Sequence, residues 1–269
     1  MTPLGYKHQR VQRLRRLVGR RSARQAERCF IVEGTKVLRE ALASDVSIES
    51  AYVDRSLMHP DDGLDEVLEG LYRAGSRVFD LEPGVLARVA DTVSPQSVMA
   101  VLAQIDLSLE ALKATEPDFV VVCVNVRDPG NAGTVLRSAE AAGADGVICC
   151  DGSVDVFNPK TVRASAGALF RLPVVAGGDP IEVLDRIGEW GLVRLGAVPR
   201  GGDDYTSVDL TGPVALVLGN EAQGLPEDVH RFLDGRLTIP MAGRAESLNA
   251  GMAGAVLCFE AARQRRIAV

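Results

Sequence analysis

Residues 119–139 read Phe119-Val-Val-Val-Cys123-Val124-Asn125-Val-Arg-Asp-Pro129-Gly130-Asn131-Ala-Gly133-Thr-Val-Leu-Arg137-Ser-Ala. An unbroken apolar run of strand length comes first, then Pro129-Gly130 as a turn, then Asn131 placed to cap a helix through its side-chain oxygen. Gly133 is read as leaving the first turn bare for a bulky ligand, with Val135, Leu136 and Ala139 as the buried side and Arg137 two turns along. Similar runs recur at 147–150, 173–175, 192–198, 214–218 and 236–239. Strands without apolar/polar alternation are covered on both faces, which implies a parallel sheet with crossover helices. The chain from 119 to 269 is therefore an α/β domain. Upstream, helical patterns at 34–42, 64–74 and 83–90 alternate with strand patterns at 48–53, 76–79 and 98–102, which predicts a smaller α/β module over 1–106. Between them, 107–118 is polar, ends in Glu-Pro-Asp and reads as a linker.

Composition narrows the class. Hydrophobic content of 46% and charged content of 25% are globular values. No apolar run approaches the roughly 18 residues of a membrane helix. The basic first thirty residues lack the apolar core of a secretory signal. Five cysteines (Cys29, Cys123, Cys149, Cys150, Cys258) form no CxxC pair, so neither a disulfide framework nor a zinc site is expected, and a reducing cytoplasm is. The net charge of −6 is unevenly placed: residues 1–28 carry nine Lys/Arg against Glu27, which leaves +8 there and −14 over the remainder. A basic arm on an acidic body fits local contact with a polyphosphate, with Arg10, Arg13, Arg16, Arg20 and Arg21 as the candidates for nucleic-acid contact. Val11, Leu14, Leu17 and Val18 also make an amphipathic stripe there, the pattern of a helix with a solvated basic face.

Several chemistries are absent from the sequence. It contains no P-loop string and no G-x-G-x-x-G opening a helix after a strand. There is no G-x-S-x-G elbow, and His8, His59 and His230 do not pair at metal-ligand spacing, so no metal is expected. Two further strings stand out. Leu216-Val-Leu218-Gly219-Asn220-Glu221-Ala-Gln-Gly224-Leu225-Pro226 ends a strand in glycine, places a carboxylate after it and precedes a Pro-initiated helix. Ligands of open α/β sheets bind at that carboxyl edge. Leu237-Thr-Ile239-Pro240-Met241-Ala-Gly243-Arg-Ala-Glu-Ser247-Leu248-Asn249 predicts Ser247 as the N-cap of a helix whose small face (Ala250, Gly251, Ala253, Gly254, Ala255) packs closely, within the chain or across a dimer. Finally, Asn158-Pro-Lys160-Thr-Val-Arg163 is a strand-to-helix loop with two cations one turn apart, suited to backbone phosphates.

Together, NVRDPGNAGTVLRSA, LVLGNEAQGLPE and IPMAGRAESLN resemble the three signature motifs of the SpoU family of RNA ribose 2′-O-methyltransferases, within the SPOUT superfamily. The first half resembles that family's ribosomal-protein-like substrate-binding domain, through Glu33-Gly34, Glu40-Ala-Leu and Asp91-Thr-Val-Ser-Pro95-Gln96. The chain departs from the usual last motif in SLNAGMA over 247–253. The resemblance implies a trefoil-knotted C-terminal domain, an exception to the rule against knots. It also implies a homodimer with its active site near the subunit interface, and S-adenosylmethionine as cofactor. On motif position, Leu218, Gly219, Asn220, Ile239, Pro240, Met241 and Leu248 would lie at the cofactor. Arg137 would be the central catalytic residue, oriented by Glu221, with Asn131, Ser247 and Asn249 completing the pocket. The two-domain layout points to 23S ribosomal RNA or a ribosomal particle as substrate. The alternatives are a transfer-RNA methyltransferase and a non-catalytic RNA-binding or ribosome assembly factor.

Overall fold

The apolar runs at 119–123, 146–149 and 174–176 become adjacent parallel strands in the computed structural model, which describes residues 2–44 and 46–268. The chain divides into two units, Met1–Ile105 with Phe157–Arg163, and Asp106–Val156 with Ala164–Val269.

The first unit runs α1 (Gln9–Gly19), α2 (Arg21–Glu27), β1 (Cys29–Glu33), α3 (Thr35–Leu42), β2 (Ile48–Val53), α4 (Leu64–Arg73), β3 (Arg77–Asp80), α5 (Val85–Val89) and β4 (Val98–Ala103). Its sheet has the order β1-β4-β2-β3, with β4 antiparallel to both neighbours and β2 parallel to β3. The basic N-terminus is not a free arm. Val11, Leu14, Leu17 and Val18 of α1 are buried in one core with Ile31, Tyr52, Met99 and Val101. Arg24 is buried and donates from Nη1 to the carbonyls of Leu17 and Val18, at 2.6 and 3.1 Å, closing the end of α1. The amphipathic stripe outweighs the charge because each buried Leu or Val contributes roughly 1.5–3 kcal/mol.

The second unit contains α6 (Leu109–Lys113), β5 (Phe119–Cys123), α7 (Pro129–Ala141), β6 (Gly146–Cys149), α8 (Pro159–Ala164, of which Pro159–Arg163 falls to the first unit), β7 (Val174–Ala176), α9 (Pro180–Glu189), β8 (Val193–Ala197), β9 (Asp203–Asp204), β10 (Val214–Leu218), β11 (Gly235–Thr238) and α10 (Ala250–Ala268). The sheet order is β7-β6-β5-β10-β8-β11-β9, and every pairing is parallel. Central β5 sets Cys123 opposite Leu218 of β10 and Cys149 of β6.

The stretch read as a linker, 107–118, is corrected. Leu107 bridges Val175, and Leu112 on α6 is fully buried in the core of the second unit. Leu107, Leu109 and Leu112 dock the segment, Leu109 and Leu112 from one short helix against the same core. The small face of α10 packs within the chain. A Cβ on Gly251 would stand 3.1 Å from Thr134 Cβ and 3.2 Å from Asn131 Cα, and one on Gly254 would stand 2.8 Å from Leu218 Cδ1. All five cysteines are free and buried. Among the described residues no helix is long and apolar enough to cross a membrane, and no group of three metal-ligating side chains converges.

Candidate active site

The carboxyl ends of β5 and β10 lie side by side, so the loops that leave them meet. The first loop enters α7. The N-cap there is Asp128, not Asn131: the Asp128 carboxylate accepts from the Asn131 N–H at 2.8 Å, with Pro129 in the first helical position. Proline is pre-organised at that position and has no N–H to lose, so Pro129-Gly130 opens the helix instead of making a separate turn. Asn131, released from capping, donates from Nδ2 to Glu221 Oε1 at 3.0 Å across ninety residues of sequence. Glu221 also accepts from the backbone N–H groups of Asp128 and Arg127, at 3.2 and 3.4 Å. Burial pushes the Glu221 carboxyl up, but the Asn131 amide and these N–H groups outweigh it and hold it below its ordinary value.

The second loop folds back on itself. Asn220 and Gly224 exchange both backbone hydrogen bonds at 2.9 Å, with Gly224 at φ +70°. Asn220 Nδ2 donates to the carbonyl of Asn125 at 2.9 Å, while its Oδ1 accepts from the N–H groups of Ala222 and Gln223. Gly219 is needed for this doubling: a Cβ there would sit 2.5 Å from the carbonyl carbon of Gly224 and 2.6 Å from the nitrogen of Leu225. Beyond Pro226 there is a single 3-10 turn, Val229–Phe232, in place of the expected helix, so Glu221 is a loop residue and not a helix-start charge.

Three further expectations are corrected. Gly133 does not admit a ligand. It admits the protein itself, because a Cβ there would fall 2.4 Å from the Ala164 side chain. Ser247 is exposed and does not cap α10; Asn249 does, its Oδ1 accepting from the Met252 N–H at 2.7 Å. Arg137 is not oriented by Glu221, whose oxygens are filled from the α7 entry. It is exposed and has no hydrogen-bond or ion-pair partner among the described residues.

Beside the second loop a cavity of about 390 Å³ opens at the carboxyl ends of β8, β10 and β11. Its lining takes in Leu218, Gly219, Asn220, Ile239, Met241 and Leu248, together with Glu221 and Ser247. Pro240, Asn131, Arg137 and Asn249 are not in its wall. The volume lies in the ordinary range for small-molecule sites, and apolar walls with a few polar groups are their usual character. The lining fits the cofactor that the resemblance implies. Leu218, Ile239 and Leu248 suit a flat heterocycle, Glu221 suits an ammonium group, and Arg200 and Arg236 in the same wall suit a carboxylate. His230 also lines it, with a buried Nδ1 that has no partner among the described residues. Reading the histidines only for metal spacing passed over it.

The cations proposed for RNA divide. Arg13 is held by Glu27 and Glu49, at 2.5 and 2.6 Å, and Arg16 by Glu27 at 3.3 Å. In the first unit Arg163 pairs with the almost fully buried Glu33 at 3.0 Å and Lys160 with Asp91 at 3.3 Å. Burial pushes the Glu33 carboxyl up, opposed by the Gln96 N–H and Arg163. Arg10 lies 4.7 Å from the centre of the Phe79 ring, while Arg88 and Arg15 lie 3.7 and 5.9 Å from that of Tyr6. Arg20, between α1 and α2, and Arg21, at the start of α2, are exposed.

A parallel α/β sheet with a cavity at its carboxyl edge, walled by loops that lock on themselves, has the arrangement of an α/β domain that binds a small molecule there. The SpoU rRNA methylase family model matches residues 118–259, and that of an MRM3-like substrate-binding domain matches residues 8–100. The chain belongs to the SpoU rRNA methylase family. It is 32% identical to the 23S rRNA (uridine(2479)-2′-O)-methyltransferase of Streptomyces viridochromogenes, over 95% of this chain and 90% of that one. It is 30% identical to the 23S rRNA (guanosine(2553)-2′-O)-methyltransferase RlmP of Bacillus subtilis, over 94% and 96%. The solved structure of the SpoU methyltransferase AviRb from Streptomyces viridochromogenes, in complex with AdoMet, superposes with a TM-score of 0.84 at 32% identity, over 97% of this chain and 100% of that one.

Proposed function

We propose that the chain transfers the methyl group of S-adenosylmethionine to a ribose 2′-hydroxyl of 23S ribosomal RNA, as a cytoplasmic homodimer with a trefoil-knotted methyltransferase domain. The observation that carries this reading is the cavity beside the Asn131–Glu221 latch, because it puts the second and third signature motifs in one wall and ties the first to them.

Bound S-adenosylmethionine supplies an electrophilic methyl on a sulfonium, so the chain must act on the other reactant. A ribose hydroxyl is a weak nucleophile and must shed its proton as the new bond forms. Arg137 cannot take that proton, since guanidinium stays protonated. It steadies the developing alkoxide charge and the neighbouring phosphate, while the proton passes to a phosphate oxygen or water. Asn131 carries no partner on its Oδ1 among the described residues, and that oxygen accepts from the ribose. Glu221 holds Asn131 in place, and Ser247 and Asn249 border the site.

Two features support the dimer. Arg137 is exposed on α7 outside the wall of the cavity of its own chain, as a residue serving a partner's site would be. Met252 and Phe259, two turns apart on α10, are 56% and 50% exposed, an apolar face suited to a second copy. The first unit supplies RNA contact through Arg15, Arg20 and Arg88, which carry no carboxylate partner among the described residues.

The test is transfer of labelled methyl from S-adenosylmethionine to unmodified 23S rRNA and, separately, to transfer RNA, with the label mapped to a nucleotide. Label at a 2′-oxygen of 23S rRNA is expected. Label only in transfer RNA would overturn the substrate, and cofactor binding without label in naked RNA or ribosomal particles would overturn the activity.

A further inference from the structure

We propose that Tyr6 organises a phosphate-binding site for the RNA backbone, its ring holding Arg15 and Arg88 with their N–H groups free to grip phosphate oxygens. The inference rests on the ribosomal-RNA reading above and adds to it a positioning residue, which acts through the two arginines.

A guanidinium can be held in two ways. Carboxylates and carbonyls take its five N–H donors, which lie in one plane, whereas an aromatic ring takes its face and leaves those donors unspent. Other arginines of the first unit have spent their donors. Arg13 gives them to Glu27 and Glu49, Arg77 to Glu49, Arg55 to Asp80 and Arg24 to the carbonyls of Leu17 and Val18. Arg88 and Arg15 differ. Their guanidinium carbons stand 3.7 and 5.9 Å from the centre of the Tyr6 ring, inside the reach of a cation–π contact. Both residues are exposed, and neither has a hydrogen-bond or ion-pair partner among the described residues. Glu82, whose carboxylate stands beside Gly5, pairs with neither.

Tyr6 is itself fixed. The Leu4 N–H donates to the Asp80 carbonyl at 2.8 Å, and the Leu4 carbonyl accepts from the Glu82 N–H at 3.1 Å. The Tyr6 carbonyl accepts from Gln12 Nε2 at 2.6 Å. Tyr6 is half-buried and packs on the core that also holds Leu14 and Leu17 of α1 and Val85, Leu86 and Val89 of α5. Ring, Arg15 on α1 and Arg88 on α5 therefore share one rigid base. A ring in that place restrains two long side chains before a ligand arrives, so less rotamer freedom is lost on binding.

The ligand these groups suit is an oxyanion with several acceptor oxygens, which guanidinium donors recognise in pairs. Residues 1–28 carry +8 against −14 over the remainder, so a polyanion is drawn to this side of the first unit. Contacts of this kind set affinity and register and read no base sequence.

The experiment is filter binding of the full chain to unmodified 23S rRNA, with calorimetric binding of S-adenosylhomocysteine as the control for folding. Wild type is compared with Tyr6→Phe, Tyr6→Leu, the pair Arg15→Ala with Arg88→Ala, and that pair combined with Tyr6→Leu. Leucine keeps apolar bulk on the core and removes the ring. We expect Tyr6→Leu to weaken RNA binding about tenfold, the scale of ordering two arginine side chains on binding, and Tyr6→Phe to stay within about twofold of wild type. The arginine pair should weaken it by at least as much as Tyr6→Leu, and adding Tyr6→Leu to that pair should change nothing further. Cofactor-product affinity should be the same in all variants. Wild-type RNA affinity in Tyr6→Leu or in the arginine pair would overturn the assignment. So would equal losses in Tyr6→Phe and Tyr6→Leu, or a further loss when Tyr6→Leu is added to the pair, since the ring would then act without the arginines. Wild-type protein that does not bind 23S rRNA would overturn the ribosomal-RNA reading itself.

Discussion

Helices α1 and α7 both present arginines above a buried apolar face, and they treat them oppositely. On α1, Arg13 is enclosed by two carboxylates, and its hydrogen bonds to Glu49 first and then Glu27 raise its pKa against the opposing effect of burial. On α7, Arg137 meets no carboxylate among the described residues, although Glu221 accepts from Arg127 and Asp128 at the start of the same helix. A compensated arginine belongs to the fold. One left uncompensated, on a helix pinned by a cap, by Gly133 and by α10, is what the proposed role of Arg137 toward an outside anion requires. Net charge along a sequence does not separate the two; the carboxylates that lie across space do.

The comparison is most severely tested at Arg137. Arg137→Ala should lower methyl transfer by about a thousandfold or more, the scale of removing a charge interaction made in the transition state. Binding of S-adenosylhomocysteine should change by less than about twofold and the thermal midpoint hardly at all. A matching loss of cofactor affinity or of stability would make Arg137 a structural residue like Arg13. Gly219→Ala comes next: its Cβ meets backbone, which cannot swing aside. Calorimetry should show affinity for S-adenosylhomocysteine falling by about 10–100-fold as the loop is displaced, and normal binding would mean that this loop is no part of the cofactor wall. Arg13→Ala should lower unfolding free energy by about 1–2 kcal/mol, allowing for solvent screening of a partly exposed network. It should also leave the salt dependence of RNA binding unchanged, whereas Arg15→Ala with Arg88→Ala should reduce that slope by roughly one for each phosphate that is no longer neutralised. Equal slopes in the two variants would erase the distinction between fold arginines and RNA arginines.

The smallest expected effect is that of pH on the latch. The folded Glu221 carboxyl titrates below its ordinary value. Its stabilisation is therefore fully present above the unfolded carboxylate pKa of about 4.3 and is lost as pH falls through the folded value. The stability gap between wild type and Glu221→Gln should be flat from about pH 7 to 5 and close below that. A gap independent of pH would show that the charge of Glu221 contributes nothing to the latch.

Elements and motifs are legible in the sequence to different depths. The parallel strands can be read because a strand covered on both faces must be apolar throughout, and 119–123 and 214–218 are. The stripe on α1 is visible because a helix with one covered face repeats its apolar residues every three or four positions, as Val11, Leu14, Leu17 and Val18 do. Caps are easily misread: Asn131 and Ser247 have capping chemistry, but Asp128 and Asn249 stand where the backbone turns helical, which local composition does not specify. The segment 107–118 looks like a linker because its three leucines are scattered among polar residues, and the burial of Leu112 depends on a surface made elsewhere. Gly133 and Gly219 are places of close approach, yet what approaches is the protein's own backbone and side chains.

Sequence by itself determined the class of fold, the order of the motifs and which side chains carry polar chemistry, since these follow from hydrophobic periodicity and residue type along the chain. Tertiary structure alone decided the partners. It gave Glu221 to Asn131 and not to Arg137, and Arg13 to Glu27 and Glu49. Hydrogen bonds and ion pairs act only over a few ångströms, so residues dozens of positions apart acquire roles when the sheet brings strand ends together.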